Sequence, residues 1–250
     1  QKFASNTTAT AISAGDLHTC AILNYGNVSC WGRGVGSAIG IPLNNNDQNF
    51  PRATNSLGVG RTAVNISLGY QFACVLLDNG LVSCWGDGNY GQMGNGNTAA
   101  NNPTPTPTNS FGANRTVVSI ASGYDHTCVI LDNGSVACWG SNSYGALGRG
   151  NFGGWSSTPE LTNSLGPNRT AVYISAGYQS TCVVLDNGEA KCWGYNQYGQ
   201  LGDGTNLDQS SPTTVLISLE LNVSSIVSQG SHTCAVFENG HATCWGQGST

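Results

Sequence analysis

Ten cysteines fall in five pairs, and the two members of each pair stand ten residues apart. The pairs are Cys20 and Cys30, Cys74 and Cys84, Cys128 and Cys138, Cys182 and Cys192, and Cys234 and Cys244. Successive first cysteines are separated by 54, 54, 54 and 52 residues. A fixed period of this length means a repeat architecture, in which each unit stacks on its neighbours instead of enclosing a core of its own. Cysteines paired inside every unit also point to an oxidising compartment.

Within the third unit, two β-rich runs flank Asp132-Asn133-Gly134. Such a sequence predicts a hairpin, with glycine supplying the positive φ of the turn. Equivalent turns occur at Asn24-Tyr25-Gly26, Asp78-Asn79-Gly80, Asp186-Asn187-Gly188 and Glu238-Asn239-Gly240. A three-residue loop pairs Leu131 with Ser135, and counting outward sets Cys128 opposite Cys138. Directly opposed residues lie about 4.5–5.5 Å apart, within reach of a disulfide. Five disulfides within hairpins are therefore expected, each worth about 2–3 kcal/mol in the chain-entropy account. A metal site would need four converging ligands, which one pair per hairpin does not supply.

Each hairpin is followed by Trp-Gly and a glycine-rich segment, as in Asn142-Ser143-Tyr144-Gly145-Ala146-Leu147-Gly148. Proline-marked stretches come next, at Pro51, Pro103 to Pro107, Pro159 and Pro212, where proline suits a strand start or an edge. Arg61, Arg115 and Arg169 then lead into the following strand. The arithmetic is about four strands per unit in one repeat domain spanning 1–250, with hairpins near 12–31, 66–85, 120–139, 174–193 and 226–245.

The run Gly123-Tyr124-Asp125-His126-Thr127-Cys128 through Cys138-Trp139-Gly140, followed by Asn-x-Tyr-Gly-x-Leu-Gly, closely resembles the regulator of chromosome condensation repeat. The resemblance spans nearly the whole chain and implies an all-β fold, a β-propeller of about five blades. The paired cysteines look like the secreted branch of that family. Nuclear members usually carry seven repeats, and nucleotide exchange on a small GTPase is one family activity. The cysteines and the sparse charge argue against that activity here.

Charged residues make up 8% of the chain, against roughly 25% in an ordinary soluble domain. A net charge of −5 with eight Lys and Arg leaves no basic patch for nucleic acid or anionic lipid. No run approaches the ~18 apolar residues of a membrane span. The chain starts at Gln1 and reads as a mature product from which a signal peptide has gone. The expected location is extracellular or at the cell surface.

Catalytic chemistry finds little purchase. His18, His126 and His232 share one repeat position, which points to a structural hydrogen bond. Most carboxylates recur at the turns, where they cap their own backbone, and no acid/base pair stands out. Asp203 to Asp208 offers oxygen ligands without an EF-hand pattern and reads as an ordinary loop. No enzyme activity, cofactor or metal is expected. Trp31, Trp85, Trp139, Trp193 and Trp245 read as packing between blades, with a sugar-binding ring of aromatics as the alternative. Phe152 and Trp155 break the pattern in a polar loop and are the candidate contact residues. Sequons at Asn6, Asn27, Asn114, Asn168 and Asn222 are candidate glycosylation sites, with Asn65 and Asn133 less accessible in the predicted strand and turn.

Aligning the ends sets Gln1 against Asn163 and Thr250 against Tyr198, so five hairpins share four glycine-rich connectors. One blade is expected to be a strand short, an open edge that recruits strands from other chains. The leading expectation is a non-catalytic structural or adhesive propeller that assembles with other copies of itself into an extracellular fibre or coat. The alternatives are self-closure by residues 1–10, in a monomeric recognition module that binds a glycan or surface protein, and, third, an enzyme with an unrecognised site.

Overall fold

The protein is described by a computed structural model covering residues 6–42, 46–216 and 221–248. Five antiparallel sheets follow one another along the chain. The first holds β1 (Ala9–Ala14), β2 (His18–Leu23), β3 (Val28–Gly32) and β4 (Gln48–Ala53). The second holds β5 (Ala63–Leu68), β6 (Phe72–Leu77), β7 (Val82–Gly86) and β8 (Asn102–Pro107). The third holds β9 (Val117–Ser122), β10 (His126–Leu131), β11 (Val136–Ser141) and β12 (Trp155–Leu161). In the fourth are β13 (Ala171–Ala176), β14 (Ser180–Leu185), β15 (Ala190–Gly194) and β16 (Gln209–Thr214). The fifth has three strands among the described residues, β17 (Val223–Gln229), β18 (His232–Phe237) and β19 (Ala242–Gly246).

The hairpin register is the one the turns dictate. Leu131 N–H donates to Ser135 O at 2.9 Å, and Cys128 stands opposite Cys138. A disulfide joins the two cysteines of every pair. The run leading into each first cysteine is two strands, not one. In the third sheet it bends at Gly123-Tyr124-Asp125 between β9 and β10. Gly123 fits this corner because a Cβ there would lie 2.4 Å from Gly177 O of the next sheet. The prolines sit on β4, β8, β12 and β16, the outermost strand of each four-stranded sheet, where a missing N–H costs no ladder bond.

Alternation decides what each side chain meets. Val129, Leu131, Ala137 and Trp139 pack back against Phe72, Leu76 and Met93 of the second sheet. Cys128, Ile130, Val136 and Cys138 pack forward against Ile174, Val183 and Trp193 of the fourth. Strands buried on both faces need continuous apolar runs, and β6, β10 and β14 are buried along their whole length. Innermost strands pack in series, β1 on β5, β5 on β9, β9 on β13 and β13 on β17.

The tryptophans lock these junctions. Trp85, Trp139 and Trp193 are fully buried, and their indole N–H groups donate to Ala38 O, Gln92 O and Ala146 O of the preceding sheet's glycine-rich connector. Trp245 repeats the bond to Gln200 O at 3.0 Å while remaining partly exposed, as Trp31 also is. A Cβ on Gly148 would lie 2.8 Å from Trp193 Nε1, so the last glycine of the motif makes room for the next blade's indole. Trp85, Trp139, Trp193 and Trp245 are thus junction residues, which fits packing between blades and not a sugar-binding ring. Gln1 and Thr250, and with them part of the end alignment, lie outside the described residues. Ala9 and Thr10 belong to β1 of the first sheet, so they do not supply a fourth strand to the fifth.

Candidate binding face

In a meander of this kind, the corners between first and second strands gather at one end of the domain. The Asx-Gly turns between second and third strands gather at the other. At the corner end, successive corners are tied by backbone bonds: Tyr70 N–H to Tyr124 O, Tyr124 N–H to Tyr178 O, and Tyr178 N–H to Gly230 O, each 3.0 Å. The same ties place the side chains side by side. Tyr70 stacks on Tyr124 with centroids 4.3 Å apart, and Tyr124 meets Tyr178 at 4.6 Å. The row continues through Tyr195, 6.5 Å from Tyr178, which meets Tyr144 at 4.8 Å and Tyr198 at 6.1 Å. Six tyrosines from three sheets thus form one partly exposed aromatic surface.

Tyr70, Tyr124 and Tyr178 also rim a cavity of about 640 Å³ where the innermost strands converge. Its wall mixes five serines, Ser13, Ser67, Ser122, Ser175 and Ser228, with aliphatic residues such as Ile120 and Ile174. Among the described residues, Asp16 is its one ionisable lining group apart from the tyrosines. Some serines also bind adjacent blades: Ser67 Oγ accepts from Ser122 N–H at 2.8 Å, and Ser175 Oγ accepts from Ser228 N–H at 2.9 Å. The site is concave and preformed, with serine and tyrosine residues in its lining, and of a size that takes a small ligand or the end of a larger one.

Beside Tyr124 lies Asp125. Burial pushes its carboxyl up to about 6; the Gln92 side-chain amide opposes this by donating at 3.2 Å, and the Asp87 charge adds to it. Burial likewise raises the Tyr124 phenol, which stays a neutral donor at any physiological pH. Arg33 lies at the first corner, where its N–H donates to Leu17 O at 2.8 Å, outside the cavity lining, while three other arginines stand at the far end. Arg61, Arg115 and Arg169 pair with Asp78, Asp132 and Asp186 at 3.5, 3.2 and 3.4 Å, at the turn end.

The other candidates from the sequence fall into place around this face. His126 is buried, with Nε2 2.9 Å from Thr181 Oγ1 of the next sheet, and burial lowers its pKa to about 4, the nearby Ser180 backbone partly opposing. His18 is lowered to about 4 for the same reason. Both are junction residues, whereas His232 on the last sheet is exposed. Burial opposes ionisation of Asp203, yet hydrogen bonds from Thr205, Asn196 and Gln209 outweigh it and hold the carboxyl below its usual range. Its oxygens knit the loop together. Phe152 and Trp155 are 56% and 58% exposed and make no ring contact with the tyrosine row. The loop bearing them is held by Asn142 Nδ2, which donates to Asn151 O and Gly153 O. Sequence reasoning passed over the tyrosines, although Gly-Tyr recurs in register at 69–70, 123–124 and 177–178.

Serial sheets of three or four strands around a shared cavity, with a disulfide across the second and third strands of each four-stranded sheet and across the last two of the fifth, make this a stapled β-propeller domain with an aromatic face. The chain belongs to the RCC1-like domain family, whose model matches residues 1–250. It is 29% identical over 238 residues to the ultraviolet-B receptor UVR8 of Arabidopsis thaliana, covering 95% of this chain and 53% of that one. It is 28% identical to the mitochondrial RCC1 domain-containing protein RUG3 of the same plant, covering 94% and 53%. Both figures mean that the chain spans about half the length of these relatives. Among solved structures, human WBSCR16 superposes with a TM-score of 0.84 at 20% identity, over 95% of this chain and 60% of that one. Yeast RCC1 (Prp20), bound to Kap60, gives 0.81 at 22% over 95% and 55%. No helix among the described residues is long and apolar enough to cross a membrane.

Proposed function

We propose that this chain is an extracellular, non-catalytic recognition propeller that binds a glycan across the tyrosine row and the mouth of the axial cavity. The observation that carries this reading is the continuous surface of six tyrosines beside a serine-containing hollow with no base in its lining among the described residues. Aromatic faces pack on the C–H faces of sugar rings, and Ser and Tyr hydroxyls with Asp16 exchange hydrogen bonds with sugar hydroxyls. The lack of Lys, Arg or His among the described lining residues favours a neutral sugar over a sulfated or acidic one. Five disulfides support the oxidising setting. The test is an oligosaccharide array probed with the purified chain. Neutral glycans should bind, and Tyr124→Ala and Tyr178→Ala should each weaken binding at least tenfold. A chain that binds no glycan on the array sinks the reading.

A second reading, a structural or adhesive subunit of a fibre or coat, is favoured by the three-stranded fifth sheet. The outer edge of β19 has no neighbour among the described residues, and such an edge accepts a strand from another copy. Sedimentation over a wide concentration range checks it, because a chain that stays monomeric throughout does not assemble.

A further inference from the structure

Seven N-x-Ser/Thr sequons occur in the chain, and the fold brings all seven to the same end. Asn27 and Asn133 sit at hairpin turns, beside the bonds Leu23 N–H to Asn27 O and Leu131 N–H to Ser135 O. Asn114 and Asn168 occupy equivalent positions in the loops that enter β9 and β13. Both are exposed and have positive φ, 59° and 55°. These loops are bound to the same turns, since Asp132 N–H donates to Thr116 O at 2.8 Å and Asp186 N–H to Thr170 O at 2.9 Å. Asn222 precedes β17 and donates to Glu238 Oε2 of the last turn at 3.1 Å. Asn6 accepts from the Asn24 side chain of the first turn, and Asn65 is the third residue of β5, counted from its turn end. All seven asparagines are exposed.

The corner end is no poorer in asparagine. Asn89, Asn95, Asn142, Asn196 and Asn206 lie in its connectors, and none is followed two residues on by Ser or Thr. Asn102 has Thr104 in the right place, but Pro103 between them blocks the sequon. Composition therefore does not account for the segregation.

We infer that the turn end of this domain is its N-glycosylated surface and that the tyrosine end is left bare for its ligand. The inference rests on the extracellular reading. Glycans on Asn27, Asn114, Asn168 and Asn222 clothe one end with a hydrated layer and leave the aromatic row as the accessible end. Glycosylation also suits the exposed left-handed loops at Asn114 and Asn168, where the side chain projects from a turn and not from a ladder.

The test is to secrete the chain from a eukaryotic line behind a cleavable signal and to map its glycopeptides. Treatment with peptide-N-glycosidase should increase gel mobility, with glycans found at the turn-end asparagines. The Asn114→Gln/Asn168→Gln double variant should lose part of that shift. Because glycans are added before folding is complete, the shift reads out even if the variant folds poorly. Bare asparagines in secreted, disulfide-bonded chain would overturn the inference and leave the extracellular reading standing. Free thiols in protein from its native source would instead end both.

Discussion

Trp139 unites the two requirements of a blade junction in one side chain. Its ring packs against Leu76, Met93 and Phe111, and its N–H meets Gln92 O at 2.7 Å. Trp139→Ala would leave a large cavity and an unpaired buried carbonyl, and should cost about 3–5 kcal/mol in denaturant unfolding. Asp125 works in the opposite sense. Its folded pKa of about 6 lies above the ordinary 3.8, so the folded state holds a proton that the unfolded state releases between those values. The fold therefore loses stability as pH rises from about 4 through 6, and the loss is complete above 6. Asp125→Asn keeps an oxygen for the Gln92 amide and should stabilise the protein by about 1–2 kcal/mol at pH 7. The gain should vanish below pH 4 in urea melts taken across that range. If Asp125→Asn were equally stable at pH 7, burial of this carboxylate would carry no cost.

At the scale of the strand and hairpin, the disulfides were legible because Asp132-Asn133-Gly134 fixes a turn and the turn fixes the register. Replacing Cys128 and Cys138 together by alanine should cost about 2–4 kcal/mol, read as a shift of the urea midpoint with little change in slope. The corner at Gly123 was less legible, since the apolar and small residues on either side of it read as one strand. Only contact with the next sheet shows why the chain must bend there. The tyrosine row was hidden for a related reason: Tyr70, Tyr124 and Tyr178 look like repeat signature until the backbone ties between their corners set the rings side by side. Phe152 and Trp155 drew notice by breaking the repeat, whereas the aromatic surface is made by residues that keep it.

Across the whole molecule, each sheet depends on its neighbours. β10 and β14 of the third and fourth sheets are buried along their whole length, while β1 of the first sheet has no buried position and β18 and β19 of the last are partly exposed. In a linear array of this kind, local opening starts where coupling is weakest. Hydrogen exchange should therefore be fastest in β1 and β17–β19 and slowest in β10 and β14, with a spread of several orders of magnitude. Uniform protection across all five sheets would mean that the terminal sheets are as firmly held as the central ones.

The staples acquire another meaning when the chain is pulled by its ends. A hairpin under tension unzips from its open end and stops at its cross-link, so the ten residue steps between each cysteine pair never enter the load path. Each blade thereby withholds about 35 Å of contour. The turns that the sequons crowd around would keep their shape in a domain already torn from its neighbours, and a blade that has lost its packing would still hold the loop from which it can zip shut again.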